Sequence, residues 1–269
     1  MGTIPGRSEA VFLDKLTLNQ KPTSLSSRPQ LKVLHYKRID STNSRAFKLA
    51  EEGAPEWTVV VSDVQTRGHG RSGKSWSSPQ GGLWFSVILR PKIPSTRIGI
   101  IQIIAANAVV DAVRNVSRVR VGVKWPNDIV VRSKKLCGIL VESKLIGSDF
   151  AFAIVGIGLN VNQSRKTVPS GAISLFMTTG KKYNLEHILR KVLSALQSRY
   201  ALTENIATVR DEWWGNCAHR FKRVRVERAD GTLEGRSVGI DENGRLLLET
   251  GLGRTEEMEE GTLQILARS

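Results

Sequence analysis

Gln65-Thr66-Arg67-Gly68-His69-Gly70-Arg71-Ser72-Gly73-Lys74-Ser75-Trp76 decides how this chain is read, because it satisfies two phosphate-binding patterns while its surroundings contradict both. Gly68, Gly73, Lys74 and Ser75 fit the P-loop pattern G-x-x-x-x-G-K-[ST], and Gly68, Gly70 and Gly73 fit G-x-G-x-x-G. A β-branched run, Thr58-Val59-Val60-Val61, supplies the preceding strand that either pattern requires. A P-loop must then open a helix whose N-terminal amides hold the phosphate. Here Pro79, Gly81 and Gly82 follow, and Leu83 to Leu89 reads as another strand. The sequence thus predicts a loop between two strands. A solvated basic loop would account for the glycines but not for their company. Arg67, Arg71 and Lys74 stand among residues that let main-chain amides approach an anion, which points to a phosphate-bearing ligand.

Outward from the loop, strands and helices alternate. Leu31 to Lys37 and Thr58 to Val64 read as strands, with Ser41 or Thr42 capping a helix from Asn43 to Glu52 between them. Ile98 to Val116 is apolar on most sides, as suits a central helix packed on a sheet. Arg118 to Lys124, Asp128 to Val131, Leu136 to Lys144 and Phe150 to Gly158 read as further strands. Leu185, Ile188, Leu189, Val192, Leu193 and Leu196 recur at helical spacing behind a capping Asn184, giving a helix to Thr203, and another follows from Ile206 to Trp214. Beyond Cys217 to Arg220 the elements shorten. Val224 to Arg228, Thr232 to Ile240, Leu246 to Thr250 and Gly261 to Leu266 are strands, with turn signals at Asp230-Gly231 and Asn243-Gly244. The chain therefore reads as α/β (α+β): a mixed sheet with helices on one face over residues 31–219, then a small barrel over 220–269. Residues 1–30 read as a weakly ordered lead with one helical turn, its apolar patch being Val11, Phe12, Leu13, Leu16 and Leu18.

Four signatures occur in order. Ile39-Asp40-Ser41-Thr42-Asn43 precedes the loop that ends at Trp76. Lys124-Trp125-Pro126-Asn127-Asp128 leads into Lys135-Leu136-Cys137-Gly138-Ile139-Leu140-Val141-Glu142, and Gly156-Ile157-Gly158-Leu159-Asn160-Val161-Asn162 completes the set. One glycine pattern is weak evidence, whereas four ordered motifs are strong. From Leu31 to Ser269 the chain resembles the biotin protein ligases, which are similar in their catalytic domain to the lipoate ligases. The resemblance implies a class II synthetase-like catalytic domain with an SH3-like C-terminal domain, in a monofunctional enzyme without an N-terminal DNA-binding domain. It also implies ATP-dependent activation of biotin as biotinyl-5′-AMP, with Mg²⁺, and transfer to a lysine of a biotin carboxyl carrier domain by a homodimer. One departure stands out: His69 occupies the place where the family usually has an arginine.

An acid that must join a lysine amine needs a better leaving group than hydroxide, and adenylation supplies one. Charge then grows on the α-phosphate and on pyrophosphate, so fixed cations must meet it. The resemblance gives those places to Arg71 and Lys135, and gives Asp128 a general-base role toward the incoming lysine. Taken alone, Lys135 would be a solvated turn lysine and Asp128 a turn cap. Ser41, Thr42, Asn43 and Gln65 are the short donors and acceptors that orient an otherwise apolar biotin, though Ser41 and Thr42 also serve as helix caps. Gly68, His69, Gly70, Arg71 and Lys135 complete the biotin contacts that the resemblance implies, while Gly138, Gly156 and Gly158 would let strands approach the ligand. ATP would meet Arg71, Trp76, Asn127, Lys135 and Asn160, with Trp76 over the adenine and Asn127 as the metal-phosphate contact. His35, His187 and His219 lack metal-ligand spacing and read as ordinary surface or core residues.

The formal charge of +15 and pI near 10.2 raise nucleic acid as a partner. Yet the positive residues are spread from Lys15 to Arg268, and two local clusters, Arg67 to Lys74 and Arg132 to Lys135, coincide with the ligand loops. The remainder reads as basic surface with no specific nucleic acid partner. Two cysteines, a polar N-terminus and the interruption of Ile98 to Val113 by Gln102, Asn107 and Asp111 predict a cytoplasmic protein with reduced thiols and no membrane span. Cys137 reads as a small buried hydrophobe. Two rivals remain: a lipoate or octanoate ligase of the same fold, needing a longer apolar pocket, and a biotin-responsive DNA-binding repressor. The second would be marked by a winged helix-turn-helix, for which residues 1–30 are too short.

Overall fold

The computed structural model describes residues 11–12, 29–203, 205–251 and 253–266. Its larger sheet contains β1 (Val11–Phe12), β2 (Lys32–Ile39), β3 (Thr58–Gln65), β4 (Leu83–Leu89), β5 (Gly122–Lys124), β6 (Asp128–Val131), β7 (Lys134–Ile146) and β8 (Asp149–Leu159). Their spatial order is β1-β2-β3-β4-β8-β7-β6-β5. Only β2 and β3 pair in parallel, joined through the helix α1 (Thr42–Glu51); every other neighbour is antiparallel. Val11 and Phe12, from the apolar patch of the expected lead, pair with His35 and Leu34. A β-branched and an aromatic residue suit an edge strand, where β2 offers open backbone partners that one isolated turn lacks. The rest of the expected lead, up to residue 28, lies outside the described residues.

Strand alternation sorts the apolar side chains onto two faces. Leu34, Tyr36, Val60, Ile88 and Ile154 pack with Ala46 and Ala50 of α1. Val33, Val59, Val61, Phe85, Val87 and Val155 join the main core under the long helix α2 (Ile98–Ser117). Two further helices, α4 (Leu185–Tyr200) and α5 (Ile206–Asn216), pack on α2, and a short one, α3 (Leu175–Thr179), follows β8. The three long helices thus share one face, while α1 covers the other. By length and composition α2 could cross a bilayer, contrary to the interruptions noted in its sequence, but two-thirds of its most apolar window is buried inside the fold. Asn107 shows how: it is fully buried and its Nδ2 donates to the Val209 carbonyl of α5 at 3.0 Å. The stretch expected as a strand from Arg118 contributes only Gly122–Lys124, because Arg118 takes a left-handed conformation (φ 59°) that closes α2.

The second sheet is antiparallel, with strands β9 (Arg223–Arg228), β10 (Gly231–Ile240), β11 (Leu246–Glu249), β12 (Thr255–Met258) and β13 (Thr262–Ile265) in the order β12-β11-β10-β9-β13. β12 escaped the sequence pattern because Thr-Glu-Glu-Met has a single apolar residue, the buried Met258, and so shows no alternation. This small sheet shares the main core of the larger unit, and two of the contacts between them are close. The Asn243-Gly244 turn presses on the start of α2 so closely that a Cβ on Gly99 would stand 2.2 Å from the Asn243 carbonyl oxygen. At the other, fully buried His219 accepts from the Trp125 N–H through Nε2 at 3.2 Å and donates from Nδ1 to Ser237 Oγ at 2.9 Å. Burial, with Lys124 and Lys222 nearby, pushes its pKa down from 6.5 to about 3.

Candidate active site

A cleft of about 600 Å³ opens where the glycine-rich loop, the ends of β5 to β8 and two turns of the small sheet converge. Its floor is a pair of facing glycines, Gly138 on β7 opposite Gly158 on β8. Trp76 lies on this floor. A Cβ on Gly138 would stand 2.9 Å from its ring, and one on Gly158 would stand 2.4 Å from its Nε1, so only glycine admits the indole here. Trp76 also meets the Trp84 ring edge-on at 6.3 Å, while its Nε1 is buried without a partner among the described residues.

The loop itself is a strand-to-strand connection, as its flanking residues predict, with one 3₁₀ turn at Arg71–Gly73 in place of a P-loop helix. It is cross-braced by bonds from Trp76 N–H to the Gly68 carbonyl (2.8 Å) and from Gly70 N–H to the Lys74 carbonyl (2.7 Å). A side chain on Gly68 would strike the Trp76 carbonyl at 2.6 Å. Arg71 is turned inward, and burial lowers its pKa against the opposing pull of Glu260 from the small sheet and Asp128 from β6. Lys135 Nζ pairs with Asp128 Oδ1 at 2.6 Å and lies 5.0 Å from the Trp76 ring centre. Two cations and an indole therefore converge over the glycine floor.

Asn127 donates from Nδ2 to the Ile139 carbonyl at 2.9 Å, which leaves its Oδ1 without a donor among the described residues. Asn160 is buried, and its Oδ1 accepts from Gln163 Nε2 at 3.2 Å. Among the described residues no cluster of three or more His, Cys, Asp or Glu side chains could hold a metal. Asn127, with its open Oδ1, is the residue that would meet an Mg²⁺ carried on substrate phosphates.

Beneath the loop the pocket turns polar. Ser41 caps α1, its Oγ accepting from the Ser44 N–H at 3.4 Å. Thr42 donates from both N–H (2.7 Å) and Oγ1 (3.0 Å) to Gln65 Oε1, and Gln65 Nε2 donates to Ser78 Oγ at 2.7 Å. Asn43 lies against Gly156, where a Cβ would come within 2.0 Å of its Oδ1. Ser86 and Glu142 also belong here, although neither was singled out from sequence. Ser86, the one polar residue of the fully buried strand β4, is within 2.8 Å of Thr42 Oγ1 and 2.5 Å of Asn43 Oδ1. A hydroxyl in such a strand is itself the signal, since a buried polar group must find a partner. The small sheet adds Arg228 and Glu260 to the rim. His35 and His187 lie elsewhere; His35 pairs with Asp63 at 2.7 Å.

An acyl-sized polar pocket beside a phosphate-ready loop, on a mixed sheet with helices, is the architecture of a ligase that activates an acid before transferring it. The chain belongs to the biotin/lipoate A/B protein ligase family, whose model matches residues 35–160, and the biotin protein ligase C terminal domain matches residues 219–262. It is 35% identical to the bifunctional ligase/repressor BirA of Bacillus subtilis, over 82% of this chain and 70% of that protein. It is 30% identical to a biotin–[acetyl-CoA-carboxylase] ligase of Paracoccus denitrificans, over 81% of this chain and 94% of the other. Among solved structures it matches the biotin protein ligase from Aquifex aeolicus in complex with biotin and ATP at TM-score 0.74 and 29% identity, covering 87% of this chain and 99% of that one.

Proposed function

We propose that the protein is a biotin–protein ligase that joins biotin to ATP as biotinyl-5′-AMP and passes the biotinyl group to a lysine of a biotin carboxyl carrier domain. The observation that carries this reading is the pairing of a polar pocket, Ser41 to Gln65, with a cationic loop across the Gly138/Gly158 floor. The biotin carboxylate attacks the α-phosphorus and pyrophosphate leaves; the lysine amine then attacks the acyl carbon and AMP leaves. Arg71 and Lys135 meet the charge that grows on phosphate in the first step. Bound Mg²⁺ supplies further neutralisation of the phosphate oxygens. Trp76 and Asn160 hold the adenine, and the open Oδ1 of Asn127, an acceptor, would face the Mg²⁺ carried on the phosphates. We assign the base of the second step to Asp128, supported by its place beside Lys135.

Conversion of biotin is favoured over lipoate by the polar lining of Ser41, Thr42, Asn43 and Gln65, which suits a ureido ring better than an aliphatic chain. The partner is the carrier domain of a biotin-dependent carboxylase, and we place the enzyme in the cytoplasm as a homodimer, with Cys137 and Cys217 as free thiols. ATP–pyrophosphate exchange with biotin or lipoate, followed by weighing a carrier domain after incubation, tests the reading. Equal exchange with lipoate would reverse the choice of substrate.

A further inference from the structure

A single polar chain ties together the two sides of the glycine-rich loop through the pocket floor. It begins at Ser78, two residues beyond Trp76, and runs through Gln65, Thr42, Ser86 and Asn43 to Glu142 on β7. From Glu142 it returns to the loop, where His69 Nε2 lies 3.4 Å from Oε2. Glu142 sets the direction of this end of the chain. A carboxylate only accepts, so Asn43 must present Nδ2 to it (2.7 Å) and turn Oδ1 toward the Ser86 hydroxyl. For the same reason His69 must carry its proton on Nε2. Mutual satisfaction of buried polar groups explains Thr42 and Ser86. It does not explain the outer end, because the side chains of His69 and Glu142 are 33% and 38% exposed and water could serve each of them. What their contact does that water cannot is fasten the loop to the sheet.

We propose that His69 and Glu142 form a latch that holds the glycine-rich loop over the finished adenylate, and that Glu142, acting through Asn43, is a positioning residue for the biotin pocket. This rests on the ligase reading above. The geometry has three supports. Gly156 lacks the Cβ that would expel Asn43, the Asn43 amide can face only one way, and the latch residue follows Gly68, which lacks the Cβ that would strike the Trp76 carbonyl across the loop.

The test uses full-length protein loaded with biotin and ATP, with release of biotinyl-adenylate and labelling of lysines on a bystander protein as readouts. His69→Ala and Glu142→Gln should each release adenylate about tenfold faster, as expected for loss of a charge-assisted hydrogen bond. Glu142→Gln should also raise KM for biotin more than it lowers kcat, since a carboxamide in place of the carboxylate can donate as well as accept and frees the Asn43 amide to turn. His69→Arg should keep release slow, because a guanidinium presents a donor to the same carboxylate, and should lose that effect when combined with Glu142→Gln. Release from His69→Ala at the wild-type rate overturns the latch, and so do additive effects of His69→Ala and Glu142→Gln, because members of one contact must couple. Lowered thermal stability with unchanged release overturns it as well. Wild-type protein that forms no adenylate from biotin overturns the ligase reading, and the latch with it.

Discussion

Replacing Lys135 by alanine removes a cation and at the same time unmasks an anion. Asp128 Oδ1 sits 2.6 Å from Lys135 Nζ, so a phosphate oxygen meeting the ammonium on its other side would lie about 5 Å from the carboxylate. With an effective dielectric constant of about 20, two unit charges at that distance repel by about 3 kcal/mol. The two side chains are 34% and 21% exposed, and screening by water reduces this to about half, or roughly a tenfold effect on rate. Loss of a preorganised donor aimed at developing charge slows a reaction by about 10²–10³. Lys135→Ala should therefore form adenylate about 10²–10³-fold more slowly, and about a factor of ten of that should return in Lys135→Ala/Asp128→Asn. Single-turnover formation of biotinyl-adenylate without carrier isolates this step from any role of Asp128 in transfer. A double variant no faster than Lys135→Ala, or a Lys135→Ala enzyme with near-normal adenylation, would refute the reasoning.

Arg71, carried on the loop beside the cleft and not on the sheet, should retain the finished adenylate as well as meet charge in its formation, so Arg71→Gly should leak adenylate and label bystander lysines besides forming it more slowly; tight retention in this variant would reverse that role. Gly158→Ala, whose Cβ would stand 2.4 Å from Trp76 Nε1, should raise KM for ATP by about tenfold or more through lost aromatic stacking and leave KM for biotin less affected, which initial-rate kinetics can separate. The His219 pKa is depressed to about 3, so the unfolded chain takes up a proton that the folded one refuses, and stability must fall as pH drops below the usual histidine range. About 2 kcal/mol should be lost between pH 7 and 5, seen as a falling Tm whose slope flattens in His219→Gln. Binding to duplex DNA should be sequence-independent and weaken steeply with salt; a salt-resistant shift of one duplex would contradict the spread of positive charge along the chain.

Much of the architecture could be read from the chain because local signals agreed with the final fold. Pro79, Gly81 and Gly82 forbade a helix after the loop, and Asn184 marked the start of α4, where its side chain does accept from the His187 N–H at 2.9 Å. The position of α1 was harder. Val33, Leu34 and Tyr36 are all buried, and a strand buried on both faces demands cover on both, a signal present in the sequence but missed. Partnerships across long separations left no local trace. Asn43 meets Glu142 from 99 residues away, and His219 joins Trp125 and Ser237 from two different units. No periodicity records how two domains face each other, so Arg228 and Glu260 on the cleft rim had no sequence signal at all.

Gly99 and Gly244 touch each other at the junction between α2 and the small sheet, and neither lines the cleft. A methyl group on Gly99 would push the Asn243-Gly244 turn outward and carry with it the strands that bring Arg228 and Glu260 to the rim. An inventory of tolerated substitutions along this chain would therefore show two separate bands of intolerance to side chains. One traces the ligand floor through Gly138, Gly156 and Gly158. The other traces the mounting of a neighbouring domain, so intolerance at a glycine here is not by itself a mark of contact with substrate.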